Sequence, residues 1–436
     1  MKKKKMGLWE AVSLAVGTMI GASIFSILGV GADICGSNLP LAFVISAIVS
    51  YSVAYSYAKL GSVYVSNAGP MEFILRGIGD NVITGTLSIL MWFSYVVSIS
   101  LFAKAFAGYF LALFNISEKN SLAFLIIEAG IISVFTVLNF FGSKVVGKAE
   151  FWIVLTKLSI LLTFVLFGIW TVKPDFLKPS LDIHSILNTF YSASVLFLSY
   201  MGFGLITNAS ENIENPKKNV PLAIYISITI VAIVYISVAV VAVGNLGVDG
   251  LIKAKEYALA EASKPFLGDL GFLFISIGAL FSTSSAINAT LYGGANIAYV
   301  LAKKGELPDI FERKVWFNEP EGLYITAVLS FIFTAFYNLD SISALISFTF
   351  LIIYLFVLIS HFKLAKKGKV EGNTILISIN FLIVLTIFLL LLQYQWESQR
   401  ESFWTSLVLI LLFFIIEKIY KGITGRQFKK RDFKGV

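Results

Sequence analysis

Polar and apolar positions separate along the chain on the scale of whole helices. Long apolar runs recur near 8–36, 40–66, 83–114, 121–142, 148–172, 185–212, 221–244, 270–303, 323–338, 341–363, 373–395 and 402–421. A helix crosses the hydrocarbon of a bilayer with about 20 apolar residues, and most of these runs reach that length. Barrel strands are excluded, because they would be about 9–11 residues long and alternate in polarity. The pattern predicts an all-α integral membrane protein with 12 transmembrane helices. An even number of spans puts both termini on one side.

Composition agrees: 57% of the residues are hydrophobic and 14% charged, against roughly a quarter charged in soluble chains. The net charge of +8 sits in clusters between the runs. Of the 34 Lys and Arg, 25 fall in the segments that are inner if the N-terminus is cytoplasmic, seven in outer loops and two inside spans. That bias is the positive-inside signal. It predicts a multi-pass protein of the cell (plasma or inner) membrane with both termini cytoplasmic, and it reads the basic residues as topology signals, not as a nucleic-acid groove. The start MKKKK is followed by a helix without a small-residue cleavage site, so the first span is expected to remain in the mature protein.

Several chemistries lack their parts. Cys35 is the only cysteine, and His184 and His361 are the only histidines, which leaves no set for a metal site. No GxSxG or P-loop pattern stands where it could work. An enzyme is not expected, and neither is a cofactor.

Two runs are interrupted by glycine near mid-span. The first reads VGTMIGASIFSILGVG, the sixth FLSYMGFGLITNAS. Glycines permit close helix packing, but a pair at equivalent places in two halves also points to inverted repeats that meet at a midplane site made of broken helices. Where the first run opens, the N–H groups of Gly21, Ala22, Ser23 and Ile24 would lie at a half-helix N-terminus and favour a carboxylate. Phe25, Phe197, Tyr200 and Phe203 are the aromatics nearest the breaks in sequence and are candidates for a pocket or thin gate.

Charged residues inside spans are costly and mark function. Lys157 falls nine residues into a span that begins near Lys148, about 13 Å deep at 1.5 Å per residue. Holding a lysine there costs about 2.5–3.5 kcal/mol, so it is the leading candidate for a proton-coupling group. Lys104 and Glu128 share a depth in the third and fourth spans, which predicts an intramembrane ion pair. An unpaired Glu128 would be a second coupling candidate.

Three stretches carry a resemblance: GASIF in the first span, TNASENIENPKKNVP after the sixth, and NATLYGGANIAYVLAKKGELP in the eighth. With similarity from Trp9 to about Trp396, the chain resembles the amino acid-polyamine-organocation superfamily, closest in pattern to its archaeal proton-coupled amino-acid transporters. The resemblance implies a five-plus-five inverted repeat of the LeuT-like kind with discontinuous first and sixth helices. Residues 1–172 would form the first repeat, 185–363 the second, 373–421 two accessory helices for packing or dimer contact, and 422–436 a basic cytoplasmic tail. A short surface helix within 246–268 would act as an extracellular lid.

By the same resemblance, carbonyls of Met19, Leu198, Ser199 and Met201 around Gly202 would receive the substrate ammonium. Lys157 would stand where sodium sits in sodium-coupled relatives, against Gly17, Ala279, Ser282 and Thr283. The chain departs from the family pattern in having Gly21, Ala22 and Ser23 for the usual Gly-Ser-Gly, and in lacking an arginine near Asn296. The implied function is secondary active transport of neutral amino acids, broad in specificity, driven by H+ and running by alternating access. A sodium-coupled symporter, an amino acid or polyamine exchanger, and a non-transporting membrane sensor are the alternatives. The expected partners are the amino-acid substrate and the lipid bilayer, with no nucleic acid.

Overall fold

A computed structural model describes residues 5–20, 23–66, 68–116, 121–139, 146–305, 307–315 and 320–425. Among these residues the chain is helical without strands, with isolated bridges only at Met6–Ile213 and Lys314–Pro320. Backbone groups that meet hydrocarbon must be satisfied within their own segment, and helices achieve this.

The helices in order are α1 (Leu8–Met19), α2 (Ser23–Cys35), α3 (Leu39–Val63), α4 (Pro70–Ile78), α5 (Val82–Leu113), α6 (Ser121–Asn139), α7 (Val146–Gly168), α8 (Ile183–Leu196), α9 (Gly204–Asn208), α10 (Pro216–Leu246), α11 (Val248–Ala254), α12 (Ala258–Lys304), α13 (Glu321–Phe336), α14 (Leu339–Lys366), α15 (Thr374–Ser398) and α16 (Arg400–Thr424). Local chemistry sets their ends. The Asn81 side chain accepts the amides of Ile83 and Thr84 to start α5, and Asn338 and Asn373 cap α14 and α15 in the same way, each meeting orphan donors of a first turn. Pro70 and Pro216 open α4 and α10, at a position where a missing N–H costs nothing.

Among the described residues ten helical stretches are long and apolar enough to cross a membrane, and α1 and α13 are shorter apolar helices. The difference of two from the twelve runs read in the sequence has local causes: the ninth run yields only the 16 residues of α13, and the first and second runs share one long stretch. The first run is split after Ile20, so its first half is a short helix and its second half continues through a three-residue turn into α3. Helix α4 is a nine-residue amphipathic piece that the apolar runs did not reveal.

Position in the bundle follows burial. The 183–208 segment and α14 are the most buried, while α6, α15 and α16 present most of their surface outward. α15 packs on α14, α8 and α3, and α16 on α5. The start of the first broken segment lies beside the end of the second: the Glu214 amide donates to the Met6 carbonyl at 2.8 Å, and the Met6 amide to Asn212 at 2.7 Å.

The segment between α10 and the body of α12 is the stretch expected to act as a lid, and it is called the lid for its position alone. It comprises α11, a 3-10 turn over Lys255–Tyr257 and the first turns of α12, up to a break at Gly268, whose φ is +62°. The lid lies directly on two glycines. A Cβ on Gly29 of α2 would stand 2.6 Å from the Lys255 carbonyl oxygen, and one on Gly108 of α5 would stand 2.4 Å from the Glu256 Cβ. Lys255 Nζ also meets Asp340 Oδ2, at the start of α14, at 2.5 Å.

Candidate functional site

Between the two broken segments lies a cavity of about 150 Å³. Gly17, Thr18, Met19 and Ser23 line it from the first segment, and Leu198, Ser199, Met201, Gly202 and Gly204 from the second. Its other walls are Met91, Ser94, Tyr95, Ser98 and Phe102 of α5, Ser285, Ala289 and Thr290 of α12, Ile346, Phe350 and Tyr354 of α14, Tyr57 of α3, and Lys157 of α7. Lys157 is the one charged residue among these lining residues. The other described lining residues carry hydroxyls, the Asn208 amide and apolar groups, and none of them is a carboxylate.

The two segments touch at Gly202. A Cβ there would lie 2.8 Å from both the amide nitrogen and the Cγ of Met19, so only glycine admits the end of α1 this close. The sixth run does not open into coil. Residues Phe197–Phe203 tighten into a 3-10 helix between α8 and α9, which shifts carbonyl directions relative to an α-helix without stripping every bond.

Tyr235 of α10 ties the break together. Its hydroxyl donates to the Met19 carbonyl at 2.5 Å and lies 2.9 Å from Ser23 Oγ and 3.4 Å from the Ser199 carbonyl. Ser23 Oγ reaches the Met19 carbonyl as well, at 2.6 Å. Both lone pairs of that carbonyl are therefore engaged in this state, and an ammonium would have to displace a hydroxyl to use it. The carbonyls of Ser199 and Met201 are approached by the Tyr235 and Tyr354 hydroxyls at 3.4 Å, and the Met201 carbonyl also accepts the Gly204 amide. Two buried polar atoms on lining residues, Ser199 Oγ and Asn208 Oδ1, have no hydrogen-bond partner among the described residues.

The remaining expected residues distribute as follows. Gly21 and Ala22 lie outside the described residues. Ile24 is fully buried behind the wall. Phe25 packs on the Tyr109 ring, whose hydroxyl donates to the Phe25 carbonyl at 2.9 Å. Tyr200 packs on Tyr235 and donates to the Phe43 carbonyl at 3.2 Å. Phe197 and Phe203 pack on Tyr354. These four aromatics stand one layer behind the cavity, and the rings that face it are Tyr57, Tyr95, Phe102, Phe350 and Tyr354. Adjacency in sequence to the break is not adjacency to the cavity, because a tight helix turns successive side chains to different sides.

Lys157 is 2% exposed. Helices α7 and α12 run antiparallel: the Phe164 and Phe266 rings are 5.3 Å apart, and a Cβ on Gly278 would stand 2.5 Å from Ile160 Cδ1. Stepping three residues back along α7 and three or four forward along α12 brings Lys157 level with Phe281 and Ser282. Ser282 Oγ lies 3.4 Å from the Ile20 carbonyl at the end of α1, and Thr283 Oγ1 bonds the Ala279 carbonyl at 2.7 Å. Gly17 and Lys157 both line the cavity, while Ala279, Ser282 and Thr283 lie on α12, where Ser282 reaches the end of α1. Elsewhere, Lys104 Nζ lies 3.3 Å from Glu128 Oε1, with Glu128 1% exposed.

A helical bundle with segments long and apolar enough to cross a membrane, enclosing a small, mainly apolar cavity between two interrupted segments, has the architecture of a membrane carrier. The chain belongs to the amino acid permease family, whose sequence profile matches residues 6–416. It is 57% identical to an uncharacterized protein of Methanocaldococcus jannaschii over 99% of both chains. It is 32% identical to the inner membrane transport protein YbaT of Escherichia coli, over 96% of this chain and 98% of that one. The methylthioribose transporter of Bacillus subtilis is 26% identical over 84% of this chain and 82% of its own length. The protein is a membrane transporter of an amino acid family and not an enzyme.

Proposed function

We propose that the chain is a proton-coupled symporter of neutral amino acids, working by alternating access in a twelve-span, five-plus-five inverted repeat with both termini cytoplasmic. The observation that supports this reading is that Lys157 is the single charged residue among the described lining residues and sits on α7, which packs against both α1 and α12. A wall without a carboxylate gives a cationic side chain no partner, and burying an unpaired charge is costly. Neutral zwitterions fit better. The substrate carboxylate would take N–H groups at the start of α2, which the helix dipole favours. The ammonium would take the carbonyls of Ser199 and Met201 together with the Ser199 hydroxyl. Lys157, protonated, would brace α1 against α12 through the Ser282 level, and losing its proton would release that brace.

The test is uptake of labelled alanine and an amino-acid panel, with methylthioribose included, into proteoliposomes under an imposed proton gradient, an imposed sodium gradient or neither. Accumulation that follows protons, ignores sodium and disappears in Lys157→Ala is expected. Accumulation that follows sodium, or full proton-driven uptake by Lys157→Ala, overturns the coupling assignment. Uptake only against preloaded amino acid identifies an exchanger, and binding without uptake a sensor.

A further inference from the structure

A second cavity lies away from the broken helices, in the wedge between the end of α14 and the start of α15, with a volume of about 560 Å³. Its walls are mainly apolar, from Leu358, Ile359 and Phe362 on one helix and Ile377, Phe381 and Leu382, with Ser378 beside them, on the other. Lys363, Lys366 and Lys367 complete the lining. All three are exposed, and none has an ion-pair partner among the described residues. The nearest acid in sequence, Glu371, is engaged by Lys59 at 3.2 Å.

Last-turn lysines favour a helix C-terminus through its dipole. That explains Lys363 and Lys366 as residues of α14, but not why three lysines line one side of an apolar wedge. The wedge is continuous with surface that faces outward: Leu382 is 59% exposed and Ile379 49% exposed. An occupant must therefore be apolar along its length and anionic at its end. The basic segment 426–436, with five Lys and Arg against one Asp, has the wrong charge.

We propose that this wedge binds a membrane lipid with an anionic phosphate headgroup, one chain lying between α14 and α15 and the phosphate held by Lys363, Lys366 and Lys367. Basic pockets between membrane helices at the bilayer surface suit such headgroups. An acyl chain gains little by leaving bilayer for protein, since both are apolar, so selection comes from the headgroup. Each lysine at an anionic lipid contributes about fivefold, and screening by salt reduces the product. A preference of tenfold or more over a zwitterionic lipid is expected. The inference does not depend on which solute the central cavity carries.

The test is lipid binding to the purified full chain by native mass spectrometry, with phosphatidylglycerol and phosphatidylcholine of equal chain length. The variants are Lys363→Gln/Lys366→Gln/Lys367→Gln, a control with Lys217→Gln/Lys218→Gln/Lys314→Gln, and Ser378→Trp, which fills the wedge and keeps its lysines. Wild type and control are expected to bind phosphatidylglycerol at least tenfold more tightly, the first triple variant to lose that preference, and Ser378→Trp to lose the bound lipid. Equal binding of both lipids by wild type, or an unchanged preference in the first triple variant, overturns the proposal. So does complete displacement by millimolar inorganic phosphate, which would identify a simple anion patch.

Discussion

Replacing Gly29 by Ala tests how the lid is seated. The added methyl would stand 2.6 Å from the Lys255 carbonyl oxygen and 2.7 Å from its Cα, where ordinary contact begins at 3.4 Å. Both obstacles are backbone, so no side-chain rotation relieves them, and the lid must rise by about 0.8 Å. Overpacking of this kind costs about 1–3 kcal/mol, which is a factor of roughly 5 to 150 in the equilibrium between docked and lifted lid. Glycine to alanine inside a helix also stabilises by about 1 kcal/mol through propensity alone, so a reference substitution is needed. Gly130 of α6 supplies it, because no atom lies within 4 Å of a Cβ there. Hydrogen exchange across 248–257 reads the opening directly. Exchange in Gly29→Ala should run 5- to 150-fold faster than in Gly130→Ala, and equal rates would refute the docking of the lid on α2 through this contact.

Tyr235→Phe removes the hydroxyl that engages the Met19 carbonyl. The protein should lose about 1 kcal/mol of stability, while substrate affinity rises up to about fivefold as that acceptor is released; calorimetric titration that instead shows tenfold weaker binding would make the hydroxyl a substrate ligand. Gly85→Ala would place a methyl 2.0 Å from Glu417 Oε1. It should lower the melting temperature in the wild-type background and be rescued by Glu417→Ala, whereas additive losses would mean that α5 and α16 do not meet there.

The broken helices were legible because glycine interrupts apolar runs at two matched places, and Lys157 because a lysine in the middle of such a run is rare for a stated energetic reason. Tyr235 was not legible. It stands 216 positions from the carbonyl it engages, and among 18 tyrosines nothing local sets it apart. The same holds for Tyr57, Tyr95 and Tyr354, which face the cavity from three different helices. Phe25, Phe197, Tyr200 and Phe203 were chosen by closeness in sequence; Phe197, Tyr200 and Phe203 recur every third residue of the 3-10 segment and so share its side away from the cavity, while Phe25 on α2 packs on Tyr109. Helix α4 escaped because a nine-residue amphipathic piece makes no long apolar run. Glycines 29 and 108 looked like the other glycines of membrane helices until the lid was seen lying on them.

Gly268 has a mechanical consequence. Without it, α12 would be a continuous rod of 47 residues, about 70 Å long at 1.5 Å per residue, with the lid at one end and the cavity wall of Ser285, Ala289 and Thr290 further along the same shaft. Any tilt of the lid would then be levered into the wall. The break, at a backbone conformation that other residues adopt only with strain, interrupts the shaft between the two. Lid and wall share a chain but not a lever arm, so each can move without dragging the other.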